Sequence, residues 1–98
     1  MNLVRDMITL RSTISISGDQ VSCDLDDEVV ILHLKSGKYY GLDPVGARVW
    51  GLIQAPRTVE TIRDSLVSDY QVEPERCEAD LLVLLERLAA AGLIQATG

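Results

Sequence analysis

The sequence predicts an α+β domain of winged helix-turn-helix-like architecture, a three-stranded antiparallel sheet followed by three helices. Three observations carry this expectation. An apolar, mostly β-branched run, Val29–Leu32, leads through Ser36-Gly37 into a second short apolar strand at Tyr39, Tyr40 and Leu42, which is a hairpin signal. Two helix starts are marked, by Asp43-Pro44 and by Thr58. A long Leu-rich segment after Pro74 stops at Gly92, a natural left-handed helix terminator.

Taken in order, Met1–Leu10 places Leu3, Val4, Met7 and Ile8 at helical spacing, in a stretch that is short and uncapped. Ser12–Ser17 alternates, with Thr13, Ile14 and Ile16, as an additional strand would. Residues 1–19 are therefore set apart as an N-terminal arm or extra strand, and residues 20–98 as the domain proper. Gly18-Asp19 turns the chain into a first strand, Val21–Leu25, and Asp26-Asp27 makes a polar turn into Glu28–Leu34. A simple two-residue turn at Ser36-Gly37 sets Leu34 opposite Tyr39, His33 opposite Tyr40 and Ile31 opposite Leu42. Ile31, His33, Tyr40 and Leu42 then share one face, and Leu32, Leu34, Tyr39 and Gly41 the other. A bulge at Gly37 would shift the pairing by one residue and exchange the faces.

The first helix is expected over Pro44–Gln54, with Val45, Val49, Trp50 and Ile53 on one face. The second starts at Thr58, and Val59, Ile62, Leu66 and Tyr70 recur on one helical face. Gln71-Val72 breaks the pattern. The third begins near Pro74, where Glu73 and Glu75 favour the positive helix end, and runs to about Ala91, with Leu93-Ile94 packing back. Its apolar surface is wide. Cys77, Leu81, Leu84 and Leu88 form a stripe with Leu85 at its edge; Arg76, Asp80, Val83 and Arg87 form one flank, and Leu82, Leu85 and Ala89 the other. Such a helix is either buried on two sides or has one side that takes a partner.

Composition narrows the function. The 98 residues carry 47% hydrophobic residues, 4% aromatics and a net charge of −6. An acidic chain is poorly matched to nucleic acid, where affinity rests on Lys and Arg against phosphates. No apolar run approaches the roughly 18 residues that a membrane span needs, and MNLVRDMITL, with Asp6, lacks the core of a signal peptide, so a cytoplasmic protein is expected. The two cysteines, Cys23 and Cys77, have no metal-ligand spacing and read as reduced, mostly buried thiols. His33 is the single histidine, and one histidine cannot make a zinc site. Asp26, Asp27 and Glu28 fit no calcium-loop spacing and read as a solvated turn. Gly41 and Gly46 match no phosphate-binding loop, and no nucleophile has a base and a third partner. No cofactor, metal or catalytic residue is therefore expected, and what remains is a surface.

That surface is the strand Lys38–Leu42, which follows the central strand and falls at a sheet edge. An open edge presents unpaired N–H and C=O groups, which an added peptide strand satisfies while side-chain pockets select its sequence. The alternative is an edge covered by the N-terminal arm.

The antiparallel pair, the segment YYGLDPVGARVW, the Thr-capped helix and the Leu-rich helix ending in Gly-Leu-Ile resemble the PqqD-like family over about Gln20 to Ile94. These are the leader-peptide recognition elements of ribosomally made, modified peptides, and the likeness is strongest to the stand-alone members of lasso-peptide pathways. The resemblance implies a non-catalytic protein that binds the leader of a precursor peptide. The leader adds antiparallel to the third strand, in a groove against the third helix. Transferred by position, it implies Lys38, Tyr39, Tyr40, Gly41 and Leu42 on the strand, and Arg76, Cys77, Asp80, Leu81, Val83, Leu84 and Arg87 on the helix. It further implies, as partners, a leader peptidase and an ATP-dependent cyclase of the same pathway, or a radical SAM enzyme if the closer relation is to pyrroloquinoline quinone synthesis. Two other readings stand beside it. One is a winged-helix DNA-binding regulator, whose recognition helix would here set Arg76 and Arg87 among Glu73, Glu75, Glu78 and Glu86. The other is a small dimerisation domain using the Leu-rich helix.

Overall fold

A computed structural model of the chain describes residues 7–98. These form six strands and three helices: β1 (Thr13–Ile16), β2 (Gln20–Leu25), β3 (Glu28–His33), β4 (Tyr39–Leu42), α1 (Pro44–Leu52), β5 (Arg57–Thr58), α2 (Val59–Tyr70), α3 (Pro74–Ala90) and β6 (Ile94–Thr97). The expected α+β arrangement is present, with β2, β3 and β4 as the three-stranded antiparallel sheet ahead of the helices. A second three-stranded sheet, ordered β5-β1-β6, adds to it. Sequence periodicity did not indicate β5 and β6. β5 has only two residues, and β6 is defined by its pairing with β1 some eighty positions away, from Ile16↔Ile94 to Thr13↔Thr97.

The helical expectation over Met1–Leu10 falls partly outside the described residues. Within them, Met7–Arg11 forms no helix, and Ile8 is buried in the core.

Local chemistry explains the helix ends. The Asp43 carboxylate accepts from the Gly46 N–H at 2.8 Å, and Pro44 opens α1. Thr58 Oγ1 accepts from the Thr61 N–H at 3.2 Å at the start of α2. At the end of α3 the Leu93 N–H reaches the Leu88 carbonyl and the Gly92 N–H the Ala89 carbonyl, both at 3.0 Å, with Gly92 at φ +76°. This pair of bonds is the Schellman arrangement, and it turns Leu93 and Ile94 back into the core.

The core lies between the sheets and the helices. Ile14, Ile31, Val49, Val59, Ile62, Leu85 and Leu93 are completely buried within it. On α3 the buried line is Cys77, Leu81, Leu85 and Leu88, so the stripe is centred closer to Leu85 than the sequence suggests. Leu82 and Leu84 are half-buried on either side. The Trp50 indole N–H donates to Ser22 Oγ at 3.3 Å, which satisfies its polar group beneath β2.

The β3–β4 connection corrects the expected two-residue turn. Four residues, Leu34–Gly37, close the loop, and the pairs are Val29↔Leu42, Val30↔Gly41, Ile31↔Tyr40 and Leu32↔Tyr39. The cause is a local network that sequence spacing does not display. His33 Nδ1 accepts from the Ser36 N–H at 3.2 Å, Ser36 Oγ accepts from the Lys38 N–H at 3.3 Å, and Gly37 takes φ +70° to bring its N–H to the His33 carbonyl. The pairing moves by two residues, an even number, so the expected faces survive. Ile31, Tyr40 and Leu42 face the core, while Leu32 and Tyr39 face away.

Candidate functional site

Among the described residues, β4 pairs with β3 on one side only, so its other side is an open edge; residues 1–6 of the arm that could cover it lie outside them. The phase of the ladder decides which residues serve that edge. The His33 N–H donates to the Lys38 carbonyl at 2.9 Å. Antiparallel pairing alternates, so Lys38, Tyr40 and Leu42 turn their backbone groups to β3, and Tyr39 and Gly41 turn theirs outward. Two adjacent N–H/C=O pairs are thus available to an incoming strand. The opposite edge, β2, is likewise unpaired among the described residues. The Leu34 N–H to Asp19 carbonyl bond at 2.9 Å fixes its phase, with Gln20, Ser22 and Asp24 outward.

The two edges differ in what borders them. The chain leaving β4 enters α1 at Pro44, and Val45 and Val49 of α1 line an apolar groove of about 290 Å³. Leu66 and Tyr70 of α2, with Val72 beyond it, supply a second wall, and Arg76, Cys77, Asp80, Leu81 and Leu84 of α3 supply the third. Below β2 lies a wider cavity of about 740 Å³, bordered by Asp24, Asp26, Asp27 and Glu28 together with Arg48 and Trp50. Its carboxylates are exposed and hydrated, so an apolar ligand gains little there. The groove beside α1 and α3 is the place where burying an apolar side chain releases water at a favourable exchange.

Of the residues that the sequence put forward, Arg76, Cys77, Asp80, Leu81 and Leu84 come together in this groove. Val83 and Arg87 are exposed and stand outside its lining. On the strand, Lys38, Tyr39 and Gly41 are exposed, whereas Tyr40 packs against the core and Leu42 is buried. Sequence reasoning missed Val45, Val49, Leu66, Tyr70 and Val72 as groove residues. Spacing alone did not mark them; the structure does, since Val45, Tyr70 and Val72 are large apolar side chains that remain well exposed after folding.

The electrostatics of the groove are mild. Burial pushes the Cys77 thiol up from its ordinary range, and the Asp80 carboxylate pushes the same way, while Arg63 opposes both. Cys77 is thus a buried wall residue of the groove at which burial and Asp80 both disfavour the thiolate. Arg63 bonds Glu78 at 3.0 Å and so ties α2 to α3. Among the described residues, no cluster of three or more His, Cys, Asp or Glu side chains is placed to hold a metal, and no helix is long and apolar enough to cross a membrane.

An open strand edge beside an apolar three-helix groove defines a small winged-helix-like domain with the layout of a peptide-capturing module. Residues 28–94 match the family model for coenzyme PQQ synthesis protein D, and the chain belongs to the PqqD family. It is similar to TbiB1 in complex with the TbiA(beta) leader peptide, at 40% identity and a TM-score of 0.80, over 86% of this chain and 98% of that one. It also shares its fold with lasso peptide synthetase B1 complexed with the leader peptide, at 22% identity and a TM-score of 0.75, over 84% of this chain and 96% of that one. No curated protein matches the chain.

Proposed function

We propose that this protein binds the leader of a ribosomally made precursor peptide, of the lasso type, by accepting it as an added strand on β4, and that it does so without chemistry of its own. The observation that carries the reading is the phase of the ladder. Tyr39 and Gly41 offer outward backbone pairs on an edge whose continuation, Val45, enters the apolar groove. The strand supplies affinity through main-chain bonds, and the groove supplies selection by taking leader side chains against Leu81 and Leu84, with Arg76 and Asp80 as polar anchors. Tyr40 and Leu42 act by holding β4 on the core, and Lys38 stands at the entrance to the strand. Val83 and Arg87 contribute only at the rim.

The leader peptidase and ATP-dependent cyclase of such a pathway are the partners that this reading assigns, within the cytoplasm. The likeness to TbiB1 at 40% identity supports that assignment over service to a radical SAM enzyme. An acidic chain of net charge −6 supports it over DNA binding.

The test is fluorescence polarisation of a labelled leader against Tyr39→Pro and Gly41→Pro, with melting temperature as control. Each proline removes an outward donor without touching the β3 ladder. Each is expected to weaken binding by about 1–3 kcal/mol, roughly 5- to 150-fold, while the fold survives. Unchanged affinity in both folded variants would refute strand addition on β4.

A further inference from the structure

Gly41 is the one glycine inside a strand among the described residues, and nothing within them requires it. It takes no positive φ, unlike Gly37 and Gly92. The β3–β4 ladder passes it without a bulge, from Val29↔Leu42 to Leu32↔Tyr39. A Cβ at Gly41 would meet no heavy atom within 4 Å outside its chain neighbours, so no close approach among the described residues excludes a side chain. Glycine in a strand interior lowers stability, since it loses backbone entropy on folding and packs nothing. With turn, bulge and internal crowding set aside, the reason left for glycine is an approach from outside the strand's own sheet.

The geometry gives that approach a direction. Gly41 turns its N–H and C=O to the open edge, and its absent side chain belongs to the face turned away from the core, the face of Tyr39. There it ends the row Cys23–Val30–Gly41, beside the row Val21–Leu32–Tyr39. The result is a notch at the sheet edge. Half-buried Val30 is its floor, Tyr39, 71% exposed, stands on one side, and exposed Glu28 stands on the other, two residues along β3. In an added antiparallel strand, the residue opposite Gly41 projects its side chain onto this same face, while its two neighbours point to the groove side. Opposite any other residue it would face a Cβ about 5 Å away. Opposite glycine it can fold flat across the strand, cover the bare backbone and reach Val30, the pairing by which an aromatic ring compensates a glycine in a sheet. The Glu28 carboxylate opposes an acidic side chain there.

We propose that Gly41 is a specificity-determining residue: the notch it leaves selects a large apolar side chain, aromatic or long aliphatic, at the one leader position that pairs with it. The proposal rests on the reading of β4 as the leader edge and adds a second point of selection to it. The groove reads leader side chains of one phase, on the helix side of the sheet. The notch reads a side chain of the other phase, on the outer side. Main-chain bonds at Gly41 are indifferent to sequence, so without the notch this position would accept any residue that suits a strand.

The experiment is fluorescence polarisation of a labelled leader peptide, and of the set in which each leader position is replaced by Ala in turn. Each peptide is titrated against wild type, Gly41→Phe, Gly41→Ala and Tyr39→Pro. Phe suits a strand and lays its own ring in the notch, so the urea midpoint of Gly41→Phe is expected at or above that of wild type. Its affinity for the native leader is expected to fall at least about tenfold, with Gly41→Ala between the two. At one leader position, Ala is expected to cost at least about tenfold against wild type and less than about twofold against Gly41→Phe. All other positions keep their cost in both proteins, which a general weakening of strand pairing would not single out. Native-leader affinity within about twofold of wild type in Gly41→Phe, or equal Ala costs in both proteins at every position, overturns the proposal. If the Phe variant melts early, Gly41→Ala is read by the same criteria against the same peptides. Tyr39→Pro separates the two levels. Weakened binding there with Gly41→Phe unaffected sinks the notch alone, whereas unchanged binding to Tyr39→Pro sinks strand addition and the notch with it.

Discussion

Gly92 lies against the His33 imidazole: a Cβ at Gly92 would stand 3.2 Å from His33 Nε2. The contact joins the C-terminal cap of α3 to the base of the β3–β4 hairpin, and these are the two elements that carry the groove wall and the strand edge. It makes Gly92 doubly constrained, by φ +76° and by the ring. Gly92→Ala is expected to cost about 1–2 kcal/mol of stability, read as a lower urea midpoint at unchanged slope. Adding His33→Ala should return only the share due to crowding, since the backbone strain remains. A neutral Gly92→Ala would show that α3 is not held in this way.

The two sides of α3 should separate binding from stability. Asp80 is exposed at the groove, so Asp80→Ala is expected to weaken leader binding by about 0.5–1 kcal/mol, less than an edge proline, with little change in melting. Leu82 is half-buried and packs against the core away from the groove, so Leu82→Ala should lower the melting temperature and spare affinity. Polarisation and thermal melting on the same preparations decide between them. Inverted results would mean that the opposite flank of the helix lines the site.

The thiols should behave unequally. Both were expected to be mostly buried, but only Cys77 is: Cys23 sits on the outer face of the edge strand β2 and is exposed, while burial and Asp80 both raise the Cys77 pKa. Iodoacetamide at pH 8 is expected to label Cys23 fully before Cys77 reacts, with mass spectrometry as the readout. The raised value also has a stability consequence. The folded state holds the Cys77 proton more tightly than the unfolded chain does, so this contribution is complete below the ordinary thiol range. It declines as pH rises through that range toward the raised value. Rapid labelling of Cys77 in the folded protein would contradict its place in the groove wall.

Local chemistry made much of this molecule legible. Thr58 and Asp43-Pro44 announced helix starts by the acceptors and the preset φ that they supply, and Gly92 announced a stop because few residues accept its backbone. The alternating segment Ser12–Ser17 formed β1, but its partners Arg57–Thr58 and Ile94–Thr97 were not recognisable, because pairing at a distance leaves no periodic trace in two to four residues. The hairpin faces were read correctly although the turn was not. The His33–Ser36 bonds lengthen the loop by two residues, and an even change preserves the alternation. On α3, the family resemblance, not spacing, put forward Arg76, Cys77, Asp80, Leu81 and Leu84, and the structure brings these five to the groove. The walls from α1 and α2 did not emerge, since whether Val45 and Tyr70 meet α3 depends on helix packing that spacing alone does not determine.

Backbone amide exchange on β4 tests the central claim most directly. In the free protein the Tyr39 and Gly41 N–H groups face outward and should exchange rapidly, while Tyr40 and Leu42, bonded to β3, should be protected. On saturation with a leader peptide, Tyr39 and Gly41 are expected to gain protection of at least about tenfold, and the outward amides of Gln20, Ser22 and Asp24 on β2 are expected to gain none. Protection appearing on β2 instead, or on neither edge while the leader is demonstrably bound, would contradict strand addition at β4.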